Sequence, residues 1–326
     1  MHELNLDGFY KNHDDVRATF QKYFLLIATV FVILVFGSFE QSFFKISNLM
    51  DIISSASVLG ILGTGLTCVM ITGELDFAFF TEMSAGAVLM ALIMAIPGFN
   101  NYYLGLFIVF VLLILFGLLN SFVHIWVGIP SFIATLATSA LVNGILKSLS
   151  NGQNLYSTRW PKCFTFIGQG YVFDIIPVPV ILLIFISIFS YAFIEKTKTG
   201  KYLYALGSNP VASKFVGINV KKQKMIAFLL CSVLCGFAGI LQGSMVNSAS
   251  VYMGEAMLTN GISCIMLGGT FLRPGTINVP GTIVAAILLS VIANGLTMVG
   301  ASAFMKDLIQ GAILLLAVGT IVIIKK

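Results

Sequence analysis

The sequence contains few charged residues. Lys, Arg, Asp and Glu together make up 10% of its 326 residues, whereas a soluble domain has roughly a quarter. Hydrophobic residues make up 58%, and they recur in apolar runs of about 20 residues, the length that crosses a bilayer as a helix. The composition excludes an ordinary soluble protein and predicts an integral membrane protein. The net charge of +5 gives no reason to expect a nucleic-acid partner.

Signatures of catalysis and of cofactor binding are also lacking. The chain has no GxxxxGK[ST] phosphate loop and no GxSxG nucleophile turn. Its three histidines are scattered, and its five cysteines lack the CxxC spacing of metal sites, so packing within spans is their expected role. We therefore expect a protein that is not an enzyme and binds no metal or cofactor itself. Energy for any pumping would come from another subunit.

The apolar runs predict an all-α, polytopic membrane protein with about ten transmembrane helices, some of them broken. Residues 1–22 form a polar N-terminal segment, and residues 23–326 form the membrane domain. The predicted spans are 23–39, 49–72, 77–96, 103–127, 131–149, 175–195, 225–247, 256–272, 279–300 and 307–324. Only 73–76 separates the second and third spans, which favours a broken or re-entrant pair.

Basic residues predict the orientation of the chain. The long polar loop 196–224 carries seven of the 15 lysines, and such loops face the cytoplasm. Placing it inside also places both termini inside, together with Lys325 and Lys326. The loop 151–174, with Arg159, then lies outside and is the natural place for an extracytoplasmic partner.

The loop 196–224 contains the signature of a short helix at residues 209–217. Asn209 is a good N-cap, and Pro210 suits the first helical position, where its missing N–H costs nothing. Gly217 is expected to end the helix at a positive φ. An exposed helix that carries Phe215 and Val216 suits a groove on another protein, although it could equally be a solvated connector on the membrane surface.

Polar side chains within the spans mark a candidate pathway. Glu74 and Asp76 lie in the break after the second span, and Glu82 lies about a turn into the third, where charges need water, a partner or a helix terminus. For Asp76, capping of the next helix remains an alternative. Uncharged amides suit neutral hydroxyl-bearing ligands but also join helices. The full candidate set is Glu74, Asp76, Phe79, Phe80, Glu82, Asn143, Asn260 and Asn294.

Two stretches, 65–73 and 261–269, resemble each other in sequence. Each is a small-residue helix that leads into a polar break, and the second continues into a Gly- and Pro-rich segment that predicts irregular backbone. Duplicated halves with broken helices are common in transporters. A chance match of two small-residue helices remains the alternative, and the handedness of any repeat stays open.

Four stretches together carry a family resemblance. They are ITGELDF, GIPSFIATLATSALVNGILKSLSNGQ, TGKYLYALGSNPVASKFVGINVKK and GISCIMLGGTFLRPGTINVPGT. With them the chain resembles, from about residue 49 to its end, the permease subunits of bacterial ABC importers of the ribose, xylose, arabinose and galactose type. The ALGSNPVASKFVGI loop followed by GGT is the most specific part.

The resemblance implies a transport subunit of the bacterial inner membrane, surrounded by lipid. Two permease subunits would associate as a homodimer or heterodimer, with ATP-binding cassette subunits below and a soluble sugar-binding protein above. The helix in the basic loop would be the coupling helix that sits in the ATPase groove. Its implied coupling residues are Asn209, Pro210, Ala212, Lys214, Phe215, Val216 and Gly217.

The chain departs from the family pattern at two places. Members often read GGIDLSVG where this chain has Gly73-Glu74-Leu75-Asp76-Phe77-Ala78-Phe79-Phe80, and Leu272-Arg273-Pro274-Gly275 replaces a GG-x-G pattern after GGT. Both changes suit one half of a heterodimer. The alternatives to an importer subunit are a stand-alone transporter that couples ions through Glu74, Asp76 or Glu82, and a structural protein that binds partners through its basic loop.

Overall fold

A computed structural model describes residues 6–99, 101–156 and 160–324. The first five residues of the predicted N-terminal segment, Arg159 of the predicted outer loop, and the C-terminal Lys325 and Lys326 lie outside the described residues.

Helices dominate the described part of the chain. The α-helices are α1 (Leu6–Phe39), α2 (Ile46–Met70), α3 (Phe79–Met94), α4 (Tyr102–Ile125), α5 (Ser131–Ser150), α6 (Lys162–Gln169), α7 (Val178–Tyr191), α8 (Lys198–Ser208), α9 (Pro210–Phe215), α10 (Val220–Val246), α11 (Leu258–Gly268), α12 (Val279–Met298) and α13 (Ala303–Ile324). Short 3₁₀ turns occupy Gln41–Phe44 and Glu255–Met257, and Ala192–Lys196 forms a π turn after α7.

Each of the ten predicted spans overlaps one helix. Within the described residues, seven helices or helical stretches are long and apolar enough to cross a membrane: Lys22–Phe39 of α1, α2, α4, α5, Val178–Lys196 (α7 with the π turn), α10 and α12. Helix α3 has 16 residues and α11 has 11, both shorter than the ~20 residues that a bilayer requires. The predicted all-α polytopic fold with interrupted helices is confirmed.

The first interruption, residues 71–78, is held by side chains of α5. The backbone N–H of Leu75 donates to Ser131 Oγ at 3.2 Å, and that of Phe77 donates to Thr135 Oγ1 at 2.9 Å. Gly73 adopts φ +81° where the chain turns out of α2. Freed amides at membrane depth must find partners within the protein, and the hydroxyls of α5 provide them. We call residues 71–78 break 1.

The second interruption, residues 269–278, is organised by Asn278. Its Nδ2 donates to Phe271 O at 2.9 Å, and its Oδ1 accepts from the N–H of Gly281 at 2.8 Å, which caps α12. Leu272 adopts φ +59°, and its N–H donates to the carbonyl of Lys22 at 3.1 Å. One amide thus joins the irregular segment to the next helix. We call residues 269–278 break 2.

The core forms where helices approach through small residues. A Cβ at Gly86 of α3 would lie 1.9 Å from the carbonyl oxygen of Gly236 on α10, and one at Gly239 would lie 1.8 Å from that of Met83. Only glycine permits this separation, as in small-residue packing of membrane helices. Helix α2 is buried along nearly its whole length, so α2, α3 and α10 form the centre of the molecule.

Two short strand pairs lie on the side opposite the basic loop. Strand β1 (Leu155–Tyr156) pairs antiparallel with β4 (Ser248–Ala249), and β2 (Tyr171–Val172) pairs antiparallel with β3 (Ile176–Pro177). The predicted outer loop 151–174 therefore contains β1, α6 and β2 rather than being irregular throughout. Ser244 of α10 fixes α6 by accepting from the N–H of Gly168 at 2.8 Å.

Candidate functional site

The short helix predicted in the basic loop is α9. Asn209 Oδ1 accepts from the N–H of Ala212 at 2.9 Å, and Pro210 occupies the first turn. Gly217 adopts φ +83° just after the helix end. The predicted cap, first residue and terminating glycine are confirmed. Val216, predicted to be helical, is the C-cap.

Helix α9 presents an apolar and basic surface to its surroundings. Phe215 is 87% exposed and Val216 is 76% exposed, whereas Ser213 is buried. Burying a Phe side chain is worth about 1.5–3 kcal/mol, so this helix gives up substantial stabilisation unless another molecule covers it. Each of the seven residues implied by the resemblance is exposed, namely Asn209, Pro210, Ala212, Lys214, Phe215, Val216 and Gly217.

Helix α8, which sequence reasoning did not predict, attaches α9 to break 1. Its N-terminus is capped by Thr197 Oγ1, which accepts from the N–H of Gly200 at 3.2 Å. Near its other end, a Cβ at Gly207 would lie 2.0 Å from the carbonyl oxygen of Ile71. Because α9 begins three residues after Gly207, the base of α9 lies against break 1.

Glu74 forms a second link between break 1 and the basic loop. Its Oε1 pairs with Lys224 Nζ in the second turn of α10, and it lies 3.3 Å from His124 Nε2. Burial alone would raise the pKa of Glu74, but hydrogen bonds with His124, Lys224 and Ser131 outweigh it and lower the pKa from 4.5 to about 2. The carboxylate is therefore ionised at neutral pH. Lys224 is the ion-pair partner of this half-buried carboxylate.

An equivalent ionic link involves break 2. Arg273 Nη2 lies 3.1 Å from Glu195 Oε2. The hydroxyl of Tyr204 on α8 donates to Glu195 Oε1 at 2.9 Å and also lies 3.3 Å from the carbonyl oxygen of Ile277. Burial, followed by the hydrogen bond to Glu195, raises the pKa of Tyr204 above its usual range, so the hydroxyl keeps its proton. Helix α8 thus contacts both breaks.

A cavity of about 460 Å³ lies where these elements meet. Break 1, α8 and break 2 form its walls. Glycines at four wall positions keep it open, and Glu74, Tyr204 and Ser208 supply polar groups. The lining residues are Met70, Ile71, Gly73, Glu74, Leu75, Tyr204, Gly207, Ser208, Met266, Gly269, Gly275, Thr276 and Ile277.

The two other carboxylates of the candidate pathway lie deeper. Asp76 Oδ1 accepts from the N–H of Ala78 at 2.7 Å, which forms a turn before α3; the alternative of capping is not met, because the N-cap of α3 is Ala78 and no side chain caps that helix. Glu82 is fully buried, and its Oε1 accepts from Asn120 Nδ2 at 3.0 Å. Thr138 in turn donates to Asn120 Oδ1. This chain of hydrogen bonds joins α3, α4 and α5, a connection that spacing in the sequence did not reveal.

The other predicted pathway residues are dispersed. Phe79 is fully buried, and its ring fills the space left by Gly261, while Phe80 is half-buried beside it. Asn294 Nδ2 donates to Asn48 Oδ1 at 2.9 Å, so this amide joins α12 to α2. Asn143 and Asn260 are half-buried on α5 and α11. Of the eight candidates, only Glu74 lines the cavity described above.

Several residues of the site were missed by sequence reasoning. Tyr204 and Glu195 were missed because their partners Ile277 and Arg273 lie 73 and 78 residues away. Asn278 was missed although its partners are local, and its position just before Val279 and Pro280 was an available N-cap signal. Lys224 was counted only as one of many loop lysines. An available signal was its position beside the apolar start of α10, where a lysine in a half-buried setting requires an anionic partner.

Within the described residues, seven apolar helices long enough to span a membrane, two short helices beside the breaks and an exposed helix on a basic loop define a polytopic membrane protein of the permease class. Residues 48–318 match the family described as "Branched-chain amino acid transport system / permease component". The chain therefore belongs to this permease family.

Curated relatives cover most of the chain. The ribose import permease protein of Escherichia coli is 29% identical over 295 residues, covering 90% of this chain and 91% of that protein. The corresponding ribose permease of Bacillus subtilis is 26% identical, with 88% of each chain covered. The xylose transport system permease protein of Haemophilus influenzae is 26% identical, covering 91% of this chain and 95% of that protein.

Proposed function

We propose that this chain is the membrane-spanning subunit of an ATP-driven importer for a monosaccharide or a similar small polyhydroxylated solute. The curated relatives named above, which are ribose and xylose permeases, support a sugar rather than an amino acid. The cavity supports it too, because Tyr204 and Ser208 offer hydroxyl groups and its one carboxylate is already paired with Lys224. A neutral solute rich in hydroxyl groups matches such a surface.

The exposed helix α9 is the observation that carries the proposal. In this scheme it occupies a groove on a cytoplasmic ATP-binding subunit, which hydrolyses ATP while this chain hydrolyses none. The chain then lies in the bacterial inner membrane with both termini inside, paired with a second permease chain, and an extracytoplasmic binding protein delivers the solute to the opposite side.

Two contacts would transmit a movement of α9 to break 1. Gly207 packs on the carbonyl of Ile71, and Lys224 pairs with Glu74, so both routes end in break 1. Binding of ATP to the partner subunit would shift break 1 from one arrangement to another. The pathway would then open alternately to the two sides of the membrane. A ligand shifts such an equilibrium only if it interacts differently with the two states. In this chain the contacts of Gly207 with Ile71 and of Lys224 with Glu74 would carry that difference to break 1.

The experiment is reconstitution of the purified permease with the ATP-binding subunit that co-purifies from native membranes. Phe215→Ala is expected to abolish solute-stimulated ATPase activity and uptake of labelled sugar into proteoliposomes. The matched control is Phe185→Ala, because Phe185 is 68% exposed within the apolar helix α7 and lies outside the basic loop. Equal activity of both variants would contradict the docking role.

The runner-up is an ion-coupled transporter that works alone, and the buried carboxylates Asp76 and Glu82 favour it. It predicts uptake by the chain without any ATP-binding subunit, and loss of that uptake when an uncoupler collapses the proton gradient. Uptake that continues with an uncoupler while ATP is maintained would exclude it.

A further inference from the structure

Two cysteines and a carboxylate meet where α10 packs on α3. Cys231 and Cys235 lie one turn apart on α10, with their Sγ atoms 3.8 Å apart. A carboxylate oxygen of Glu82 lies within 4.8 Å of both sulfur atoms. All three side chains are fully buried. These cysteines were expected only to pack, and the proposed transport function does not use them.

No cationic side chain of the described residues pairs with the carboxyl groups beside these thiols. Glu82 Oε2 and Asp76 Oδ2 are buried without a partner at full hydrogen-bond geometry, and the Cys231 thiol lies close enough to interact with both carboxyl groups. Neither residue belongs to an ion pair within the described part of the chain. Asp76 also acts electrostatically on Glu82 and on Cys231, so these ionisable groups lie close together. Burying an unpaired charge is costly, and paired or metal-bound arrangements are the usual solution.

The distances fit a tetrahedral cation site. With a Zn–S bond of about 2.3 Å and a tetrahedral angle, two thiolates on one zinc ion lie about 3.8 Å apart, which is the separation of Cys231 and Cys235. Asn120 orients Glu82, and Thr138 orients Asn120, as outer groups orient the ligands of metal sites.

We propose that Glu82, Cys231 and Cys235 bind one soft divalent cation, with Zn²⁺ as the best match. Thiolate pairs select zinc over harder cations such as Mg²⁺. Binding releases the two thiol protons and neutralises the buried carboxylates. The cation ties α10 to α3 immediately beside break 1 and stabilises the centre of the molecule, independently of which solute is carried.

The test measures metal in the full-length chain. Protein purified in detergent from zinc-supplemented cells is expected to contain about one zinc per chain by mass spectrometry, and exchange with Cd²⁺ should produce the ultraviolet thiolate-to-cadmium absorption. The variant C231S/C235S should lose both signals. The matched control C264S should keep them, because Cys264 is also buried but bonds instead to the carbonyl of Thr282.

Glu82→Gln keeps the side-chain shape, and it is the second test of metal binding if C231S/C235S fails to fold. It should weaken Cd²⁺ binding at least tenfold while the protein remains monodisperse in size-exclusion chromatography. Wild-type protein that takes up neither Zn²⁺ nor Cd²⁺ overturns the proposal and leaves protons as the neutralising cation. Metal that persists unchanged in both variants also overturns it, because that metal lies elsewhere.

Discussion

The ion pair between Glu74 and Lys224 stabilises break 1 by an amount that the structure bounds. A pKa lowered from 4.5 to about 2 corresponds to at most about 3.4 kcal/mol. The two side chains are 18% and 19% exposed, and solvent screens such pairs, so we expect a coupling free energy of about 1–2 kcal/mol.

A double-mutant cycle measures this coupling. Glu74→Gln, Lys224→Met and the double variant are compared with wild type by reversible unfolding in mixed micelles. Each single variant should lower the free energy of unfolding, and the double variant should lose about 1–2 kcal/mol less than the sum of the two. Lys222→Met, at an exposed position of the same helix, serves as the control. Additivity within ~0.5 kcal/mol would refute the pairing.

The pH dependence of the same cycle follows from the direction of the pKa shift. Because folding lowers the pKa of Glu74, the stabilisation is fully present above pH 4.5, the ordinary pKa. It is lost as the pH falls from 4.5 towards about 2, where the folded carboxylate takes up its proton. A coupling energy that instead declines between pH 5 and 8 would show that another group, and not Glu74, is titrating.

Three further variants test the packing and the helix ends. Gly86→Val should cost more than about 3 kcal/mol or prevent folding, because its Cβ would meet the carbonyl of Gly236 at 1.9 Å; Gly144→Val, with open space around it, should be tolerated in the same thermal-unfolding assay. Gly217→Val should cost about 1–2 kcal/mol locally at φ +83° and uncouple ATPase stimulation from uptake, and unchanged coupling would contradict this. Ser244→Ala should lower the free energy of unfolding by about 1–3 kcal/mol by leaving Gly168 N–H unpaired, and proteolysis between α5 and α7 should increase.

Local sequence signals predicted the features that depend on neighbouring residues. Helix α9 was predictable because its cap, its proline and its glycine lie within nine residues of one another, and each acts through the backbone beside it. The spans were predictable because the hydrocarbon thickness fixes their length. Gly73 and the polar residues after it similarly indicated a break between α2 and α3.

The remaining features depend on contacts between distant segments. Glu74 was predicted as a pathway residue, yet its partners Lys224 and His124 lie 150 and 50 residues away, so only the fold brings them together. Asn294 was likewise a pathway candidate, and its contact with Asn48 is the interhelical bond that amides in membranes often form. A single sequence does not specify which helices are adjacent.

Two of the residues that depart from the family pattern, Glu74 and Phe79, are each accommodated by a residue that contacts them. Where relatives often have a glycine, Glu74 introduces a charge, and the fold supplies Lys224 and His124 as its partners. Where small residues are usual, Phe79 fills the space beside Gly261, whose missing side chain makes room for the ring. Glu74 in break 1 and Phe79 at the start of α3 thus each have a matching residue in a segment that contacts them. A break that is stabilised by an ion pair and a packed ring is less free to move than one built of glycines. A movement of break 1 therefore has to be transmitted through the residues that contact it. Lys224 lies on the helix that follows α9, and Gly207 lies on the helix that precedes it, so a displacement of α9 acts on break 1 at two positions, Glu74 and Ile71.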